Sequence, residues 1–295
     1  MRGATSPGLA TAYLWARNGS KRGTQTRVAG LSAVNKTAAP EVLLCDLDGV
    51  VWLAHEPIPG SVEALRRVEE AGARVLYVTN NSFSTVAEQE AHLSAIGVDA
   101  EGKVLTSAMS AASVLVPGQV VLVCGGLGIR EEVARAGCEV VVAHENPGAR
   151  RSYDAVVVGL YREFDYTVLA DAQRAVMSGA VLIGSNSDNS YPTPDGVLPG
   201  GGSVLAAIAT AAGVTPVVTG KPHRPMAELV RRSCPGVQPN AMFMVGDKAS
   251  TDGAFAGTLG CGFGLVMTGV TTPGTEPDGA RTFHDLAAVV EELFG

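Results

Sequence analysis

The chain is predicted to be an α/β protein built on a doubly wound, mostly parallel sheet. Three observations predict this. Short β-branched runs recur along it, helical stretches separate them, and the composition suits a packed core. Of its 295 residues, 46% are hydrophobic and 17% charged, with many Ala, Val and Gly. That length accommodates one large domain or two smaller ones.

The first expected strand, Val42-Leu43-Leu44-Cys45, is apolar throughout, as suits a strand covered on both faces. The stretch from Ser61 to Gly72 reads as an amphipathic helix, with Ser61 as its N-cap and Gly72 as its stop. Further strands are expected at Arg74–Val78, Val120–Cys124, Glu139–Val142, Ala155–Val158, Val181–Ile183, Pro216–Val218, Ala241–Val245 and Gly264–Met267. The alternation implies βαβ units, whose sheets place ligands beyond the carboxyl ends of their strands.

Charge is unevenly distributed. Residues 1–40 hold six basic side chains and no acidic one, so this segment reads as a flexible basic tail. The remainder carries 16 basic against 29 acidic residues, a net charge of −13. Such an acidic body argues against a nucleic-acid surface, which needs clustered Lys and Arg. No run approaches the ~18 apolar residues of a membrane span. Five scattered cysteines without a C-x-x-C pair suit reduced thiols in a cytoplasm better than disulfides or zinc.

The first strand ends in Asp46-Leu47-Asp48-Gly49. Paired carboxylates there can divide nucleophilic and acid/base roles or hold a hard divalent cation; Asp and Gly also build ordinary turns. Three later strands likewise end in polar groups. They are Val75-Leu-Tyr-Val-Thr79-Asn80-Asn81, Pro216-Val-Val-Thr-Gly220-Lys221-Pro222, and Ala241-Met-Phe-Met-Val-Gly246-Asp247 with Asp252 beyond it. Each alone reads as a cap, a loop cation or a turn. A parallel sheet brings all four to one edge, where carboxylates suit Mg²⁺ while hydroxyl, amide and ammonium groups suit a phosphate.

These four ordered motifs resemble those of the haloacid dehalogenase superfamily, over about residues 41–290. Only 31 positions separate Asp48 from Thr79, whereas 142 separate Thr79 from Lys221. The longer gap leaves room for an inserted domain of roughly 90–100 residues. That placement resembles the class-IIA cap of nitrophenylphosphatase-like (NagD-like) proteins. Val-Thr-Asn-Asn-Ser at 78–82, Thr106-Ser-Ala108, Gly184-Ser-Asn-Ser-Asp188 and Pro199-Gly-Gly-Gly-Ser203 match the same subgroup.

The resemblance implies a Rossmann-like core at 41–117 and 214–295 with a smaller α/β cap at 118–213. It implies a Mg²⁺-dependent phosphatase acting on small-molecule phosphate monoesters. By the same resemblance Asp46 attacks phosphorus, and Asp48 handles the leaving-group and water protons. Thr79, Asn80 with its neighbouring amides, and Lys221 hold the phosphoryl oxygens. Asp46, the Asp48 carbonyl and Asp247 bind Mg²⁺, and Asp252 steadies the metal shell or Lys221. Asn186, Asp188 and Tyr191 of the cap loop then read the leaving group, or Asn186 and Asp188 simply stabilise that loop. Polyol, sugar, nucleotide and pyridoxal phosphates all remain open as substrates. Similar proteins dimerise through their caps, although the sequence does not disclose an oligomeric state.

Two departures stand out. Gly253 replaces a usually apolar residue, commonly Ile, and Tyr161 stands where Asp is frequent. Cys124-x5-Arg130 mimics a thiolate phosphatase loop, but no histidine precedes it and no Ser/Thr follows Arg130. Two rival readings are a phospho-accepting receiver domain and a catalytically silent phosphate-ligand-binding relative. The large insertion and Asp-x-Asp spacing oppose the first, and the complete motif set opposes the second.

Overall fold

In the computed structural model, residues 39–143, 145, 152–193 and 196–295 are described. The basic tail expected at 1–40 therefore lies almost wholly outside the described residues. The strands in chain order begin with β1 (Val42–Cys45), the hairpin β2 (Trp52–Leu53) and β3 (Glu56–Pro57), β4 (Arg74–Thr79) and β5 (Val104–Thr106). Next come β6 (Val120–Cys124), β7 (Glu139–Val142), β8 (Ala155–Val158), β9 (Val181–Gly184), and the hairpin β10 (Ser190–Thr193) and β11 (Gly196–Pro199). The series closes with β12 (Val217–Val218), β13 (Met242–Gly246), β14 (Gly262–Val266) and β15 (Thr282–Phe283).

Six of these strands form one parallel sheet in the order β15-β14-β13-β1-β4-β5. The chain winds outward from β1 in both directions, so the carboxyl end of β1 lies at the topological switch point. Alternate β1 residues enter different cores. Leu43 and Cys45 join Val75, Tyr77, Phe243 and Val245, while Val42 and Leu44 join Leu76, Val78, Met242 and Met244. Covering both faces explains why the strand is apolar at every position.

A second parallel sheet has the order β12-β9-β8-β6-β7. It too has a core on each face; on one of them Ala108 and Ala111 pack with Val121, Val123 and Val157. The short helix Ser107–Ala112, rich in small residues, thus fits between the two layers. The molecule is a doubly wound α/β core joined to a smaller α/β cap. The last strand of the smaller sheet, β12, lies beyond residue 213, where the sequence reading ends the insertion. Among the described residues this strand pairs only with β9 and runs directly toward Lys221, so the smaller sheet delivers that residue to the site.

The first helix spans Ser61–Glu70, with Gly72 beyond it at φ 83°. Ser61 is not its cap, contrary to expectation: Gly60 holds that position, and the Ser61 hydroxyl donates to the Val51 carbonyl at 2.8 Å. The hydroxyl instead anchors the helix start to the segment after Asp48. Among the described residues no helix is long and apolar enough to cross a membrane.

Asp285 caps the closing helix Leu286–Phe294 by accepting from the Ala288 amide at 2.9 Å. Burial alone would raise the Asp285 carboxyl, but that amide and His284 outweigh it and hold it below the ordinary range. A depressed folded-state pKa contributes stability above the unfolded value of about 4, and the contribution fades as pH falls through the folded value. Asp285→Ala is therefore expected to cost about 1 kcal/mol at pH 7 and progressively less below pH ~4. Urea midpoints measured at both pH values check it.

Candidate active site

Asp46 directly follows β1, between the ends of β13 and β4. Its Oδ1 accepts from the Leu47 amide at 2.8 Å and lies 2.9 Å from Lys221 Nζ. The same ammonium sits 2.8 Å from Asp252 Oδ1. Lys221 is only 1% exposed, so its charge depends on these two carboxylates. Burial would lower the lysine pKa, but Asp252 and Asp46 outweigh it and raise it.

Asp247 comes from the end of β13, and a single π-helical turn at Ala249–Gly253 carries Asp252 back toward it. Carboxylate oxygens of Asp46, Asp247 and Asp252 all lie within 4.8 Å of one another. Burial, reinforced by Asp252, pushes the Asp247 carboxyl up to about 6, although the Val270 amide donates to its Oδ2 at 2.6 Å. Asp46 is raised well above the usual carboxylate range by burial, against the pull of Lys221. Three crowded carboxylates facing one ammonium leave surplus negative charge, which suits a hard divalent cation with oxygen ligands.

Gly269 completes the cradle. A Cβ there would sit 2.1 Å from Asp247 Oδ2, so only glycine admits the carboxylate at this position. The departure at Gly253 also has a steric cause. A Cβ at 253 would approach Phe263 Cε1 to 3.0 Å, so the ring occupies space that a larger side chain would need.

Asp48 lies two positions after Asp46, but its carboxylate is not part of the Asp46–Asp247–Asp252 cluster. It reaches solvent and accepts from Trp52 Nε1 at 3.1 Å. The surrounding walls still desolvate it and raise its pKa, opposed by His55 and the indole hydrogen bond. Trp52 itself is 1% exposed and packs edge-on against His55 and His92. This orienting indole, four residues after Asp48, was missed by the sequence reading.

Thr79 Oγ1 accepts from the Asn81 amide at 3.0 Å, leaving its hydroxyl proton for an acceptor in the site. Asn80 does something else. Its Oδ1 accepts from the Lys221 amide at 2.8 Å, while Nδ2 donates to the Lys221 carbonyl at 3.0 Å and to Asp188 Oδ2 at 2.9 Å. Asn186 donates to the Asn80 carbonyl at 2.8 Å and receives the Asp188 amide on its Oδ1 at 3.1 Å.

Between core and cap lies a cleft of about 440 Å³ that reaches Lys221. Asp188 lines it with Ser187, Asn189 and Ser190 from the cap, facing His223, Lys248, Ser250 and Thr251 from the core. Asn186 and Tyr191 are not among its lining residues. Lys248 was also missed, although it stands directly after the Gly246-Asp247 pair. Cys124 is fully buried with its thiol pushed up to about 12, and Arg130 instead donates to the Gly125 carbonyl. That loop is not a thiolate phosphate cradle.

Fold and site together define a capped α/β protein with an aspartate–lysine centre at the switch point of its larger sheet. Profile matches agree: residues 43–139 match the haloacid dehalogenase-like hydrolase model, and residues 218–293 a HAD-hydrolase-like one. The D-glycerol 3-phosphate phosphatase of Mycobacterium tuberculosis is 37% identical over 264 residues, spanning 85% of this chain and 71% of that protein. An acid sugar phosphatase of Staphylococcus aureus is 32% identical, covering 85% and 96% of the two chains. Among solved structures, p-nitrophenyl phosphatase from Archaeoglobus fulgidus superposes with TM-score 0.77 at 29% identity, over 86% of this chain and 99% of that one. A magnesium complex of the M. tuberculosis glycerol phosphate phosphatase gives TM-score 0.75 at 36% identity, over 85% and 77%. The chain belongs to the haloacid dehalogenase-like hydrolase family.

Proposed function

We propose that this protein is a Mg²⁺-dependent phosphatase that hydrolyses small polyol or sugar phosphate monoesters through an aspartyl-phosphate on Asp46. One observation carries the reading: Asp46 shares the buried Lys221 with Asp252 and clusters with Asp247, joining a nucleophile, a cation site and a phosphate-binding ammonium. The division into a core at 41–117 and 214–295 and a cap at 118–213 belongs to the same proposal, with β12 at the junction pairing with the smaller sheet.

Mg²⁺ would be held by Asp46, the Asp48 carbonyl and Asp247, and when bound it offsets phosphoryl charge. The chain's own residues do the rest. Asp46 Oδ1 is pinned by the Leu47 amide and Lys221, which directs the carboxylate toward an incoming phosphorus. Lys221 and the Thr79 hydroxyl hold non-bridging oxygens. Asp48, with its raised pKa and Trp52-fixed orientation, protonates the departing alkoxide and then takes a proton from water attacking the aspartyl-phosphate. The cleft lining of Ser187, Asn189, Ser190, Ser250 and Thr251 suits a leaving group rich in hydroxyls. The glycerol and sugar phosphatases among its relatives support that choice.

Purified protein with Mg²⁺ is expected to hydrolyse glycerol 3-phosphate and sugar phosphates faster than nucleotides or pyridoxal phosphate, and EDTA should abolish turnover. Metal-independent hydrolysis, or none across the panel, would overturn the reading. Gly269→Ala is expected to weaken Mg²⁺ about 10–100-fold by displacing Asp247, as loss of a supporting contact to a ligand does. The Mg²⁺ dependence of initial rates measures this.

A further inference from the structure

Three basic side chains line the cleft, and none presents a spare positive charge. Lys221 is in ion-pair contact with Asp46 and Asp252. Lys248 Nζ lies 3.1 Å from Asp188 Oδ1. Burial lowers the His223 pKa, which disfavours the charged form of its imidazole. Asp188 is the acidic residue of the lining, and the remaining lining side chains are uncharged.

Asp188 cannot readily turn away from Lys248. Its second oxygen receives the Asn80 amide at 2.9 Å, and its own backbone amide is held by Asn186. Lys248 follows Asp247 at the end of β13, so the strand also sets its position. The pair is partly shielded, with side-chain exposures of 38% for Lys248 and 27% for Asp188. At that depth a charge is felt by a neighbour more strongly than on an open surface.

We infer that the Lys248–Asp188 pair is a specificity determinant that selects uncharged, hydroxyl-bearing leaving groups and rejects those carrying a carboxylate or second phosphate. This rests on the phosphatase reading above and extends it. A neutral polyol leaves the pair intact and bonds to the surrounding hydroxyls. An anionic leaving group meets the Asp188 carboxylate, or must break the ion pair to reach Lys248. Removing the negative charge at 188 releases the ammonium and turns repulsion into attraction. Specificity of this kind comes as much from the rejected substrate as from the preferred one.

The test compares kcat/KM for glycerol 3-phosphate and 2-phosphoglycolate, with Mg²⁺ present throughout. Wild type is expected to favour glycerol 3-phosphate. Asp188→Asn, which can still accept from Asn80, should move the ratio toward 2-phosphoglycolate by roughly tenfold or more. Adding Lys248→Gln to that variant should return the ratio to near its starting value. Lys248→Gln alone should move it further toward glycerol 3-phosphate, which keeps the test available if Asp188→Asn folds poorly. An unchanged ratio in both single variants, with turnover retained, overturns the inference and leaves the phosphatase reading standing. Wild-type preference for 2-phosphoglycolate overturns the inference too. Failure of wild type to hydrolyse either ester or p-nitrophenyl phosphate overturns both.

Discussion

Asp46→Asn is expected to reduce hydrolysis of any accepted phosphate ester by at least ~10⁴-fold, the scale seen when a covalent nucleophile is removed. The replacement is nearly isosteric, so the Leu47 amide keeps an oxygen partner and the fold should persist. What disappears is the negative charge beside Lys221 and, on the proposed mechanism, the oxygen that attacks phosphorus. The substitution also takes one anion from the three-carboxylate cluster. Single-turnover kinetics would separate the effects: wild type should show an acid-stable burst of protein-bound phosphate, and the variant none. Turnover within tenfold of wild type would remove Asp46 from the chemistry.

Lys221→Met is expected to lower the stability of the metal-free protein by about 3–5 kcal/mol, because it strands buried carboxylates without their counter-charge. The methionine fills most of the space of the lysine stem, so lost packing contributes little. Asp46 and Asp252 both lie within 3 Å of the ammonium, and Asp252 is fully buried. Urea unfolding in EDTA measures the loss. Mg²⁺ should restore part of it, since a cation among the same carboxylates replaces some of the missing positive charge. Activity should fall by ~10²–10³-fold even at saturating Mg²⁺, as expected when a fixed donor to the phosphoryl oxygens is lost. Unchanged stability together with unchanged rate would show that Lys221 is only a loop cation.

Much of this arrangement was legible in the sequence because the major strands are covered on both faces. Val42–Cys45, Val120–Cys124, Glu139–Val142 and Ala155–Val158 form at their expected positions. The edge strand β5 and the two hairpins were not foreseen, since two to four residues carry too little pattern to separate from loop. The approach of Asp247 and Asp252 to Asp46 was legible because a parallel sheet delivers successive strand ends to one edge, whereas Lys221, expected at that same edge, arrives from β12 of the smaller sheet. Lys248 and Trp52 were not legible. Lys248 meets Asp188 sixty positions away, a pairing that no local periodicity encodes. Ser61 showed the opposite error, where a residue with strong capping preference is used instead for a tertiary bond to Val51.

The two hydrogen bonds that Asn80 exchanges with the Lys221 backbone imitate the exchange between neighbouring strands, made here by a side chain across 141 positions. They staple the end of β4 in the larger sheet to the segment that follows β12 of the smaller one. Beyond β5, which pairs with β4, the chain up to Lys221 is a cassette whose ends are tied independently of its contents. Lengthening, shortening or replacing that cassette need not shift Thr79 relative to Lys221. On this scaffold a new leaving-group preference can be acquired without rebuilding the phosphate site.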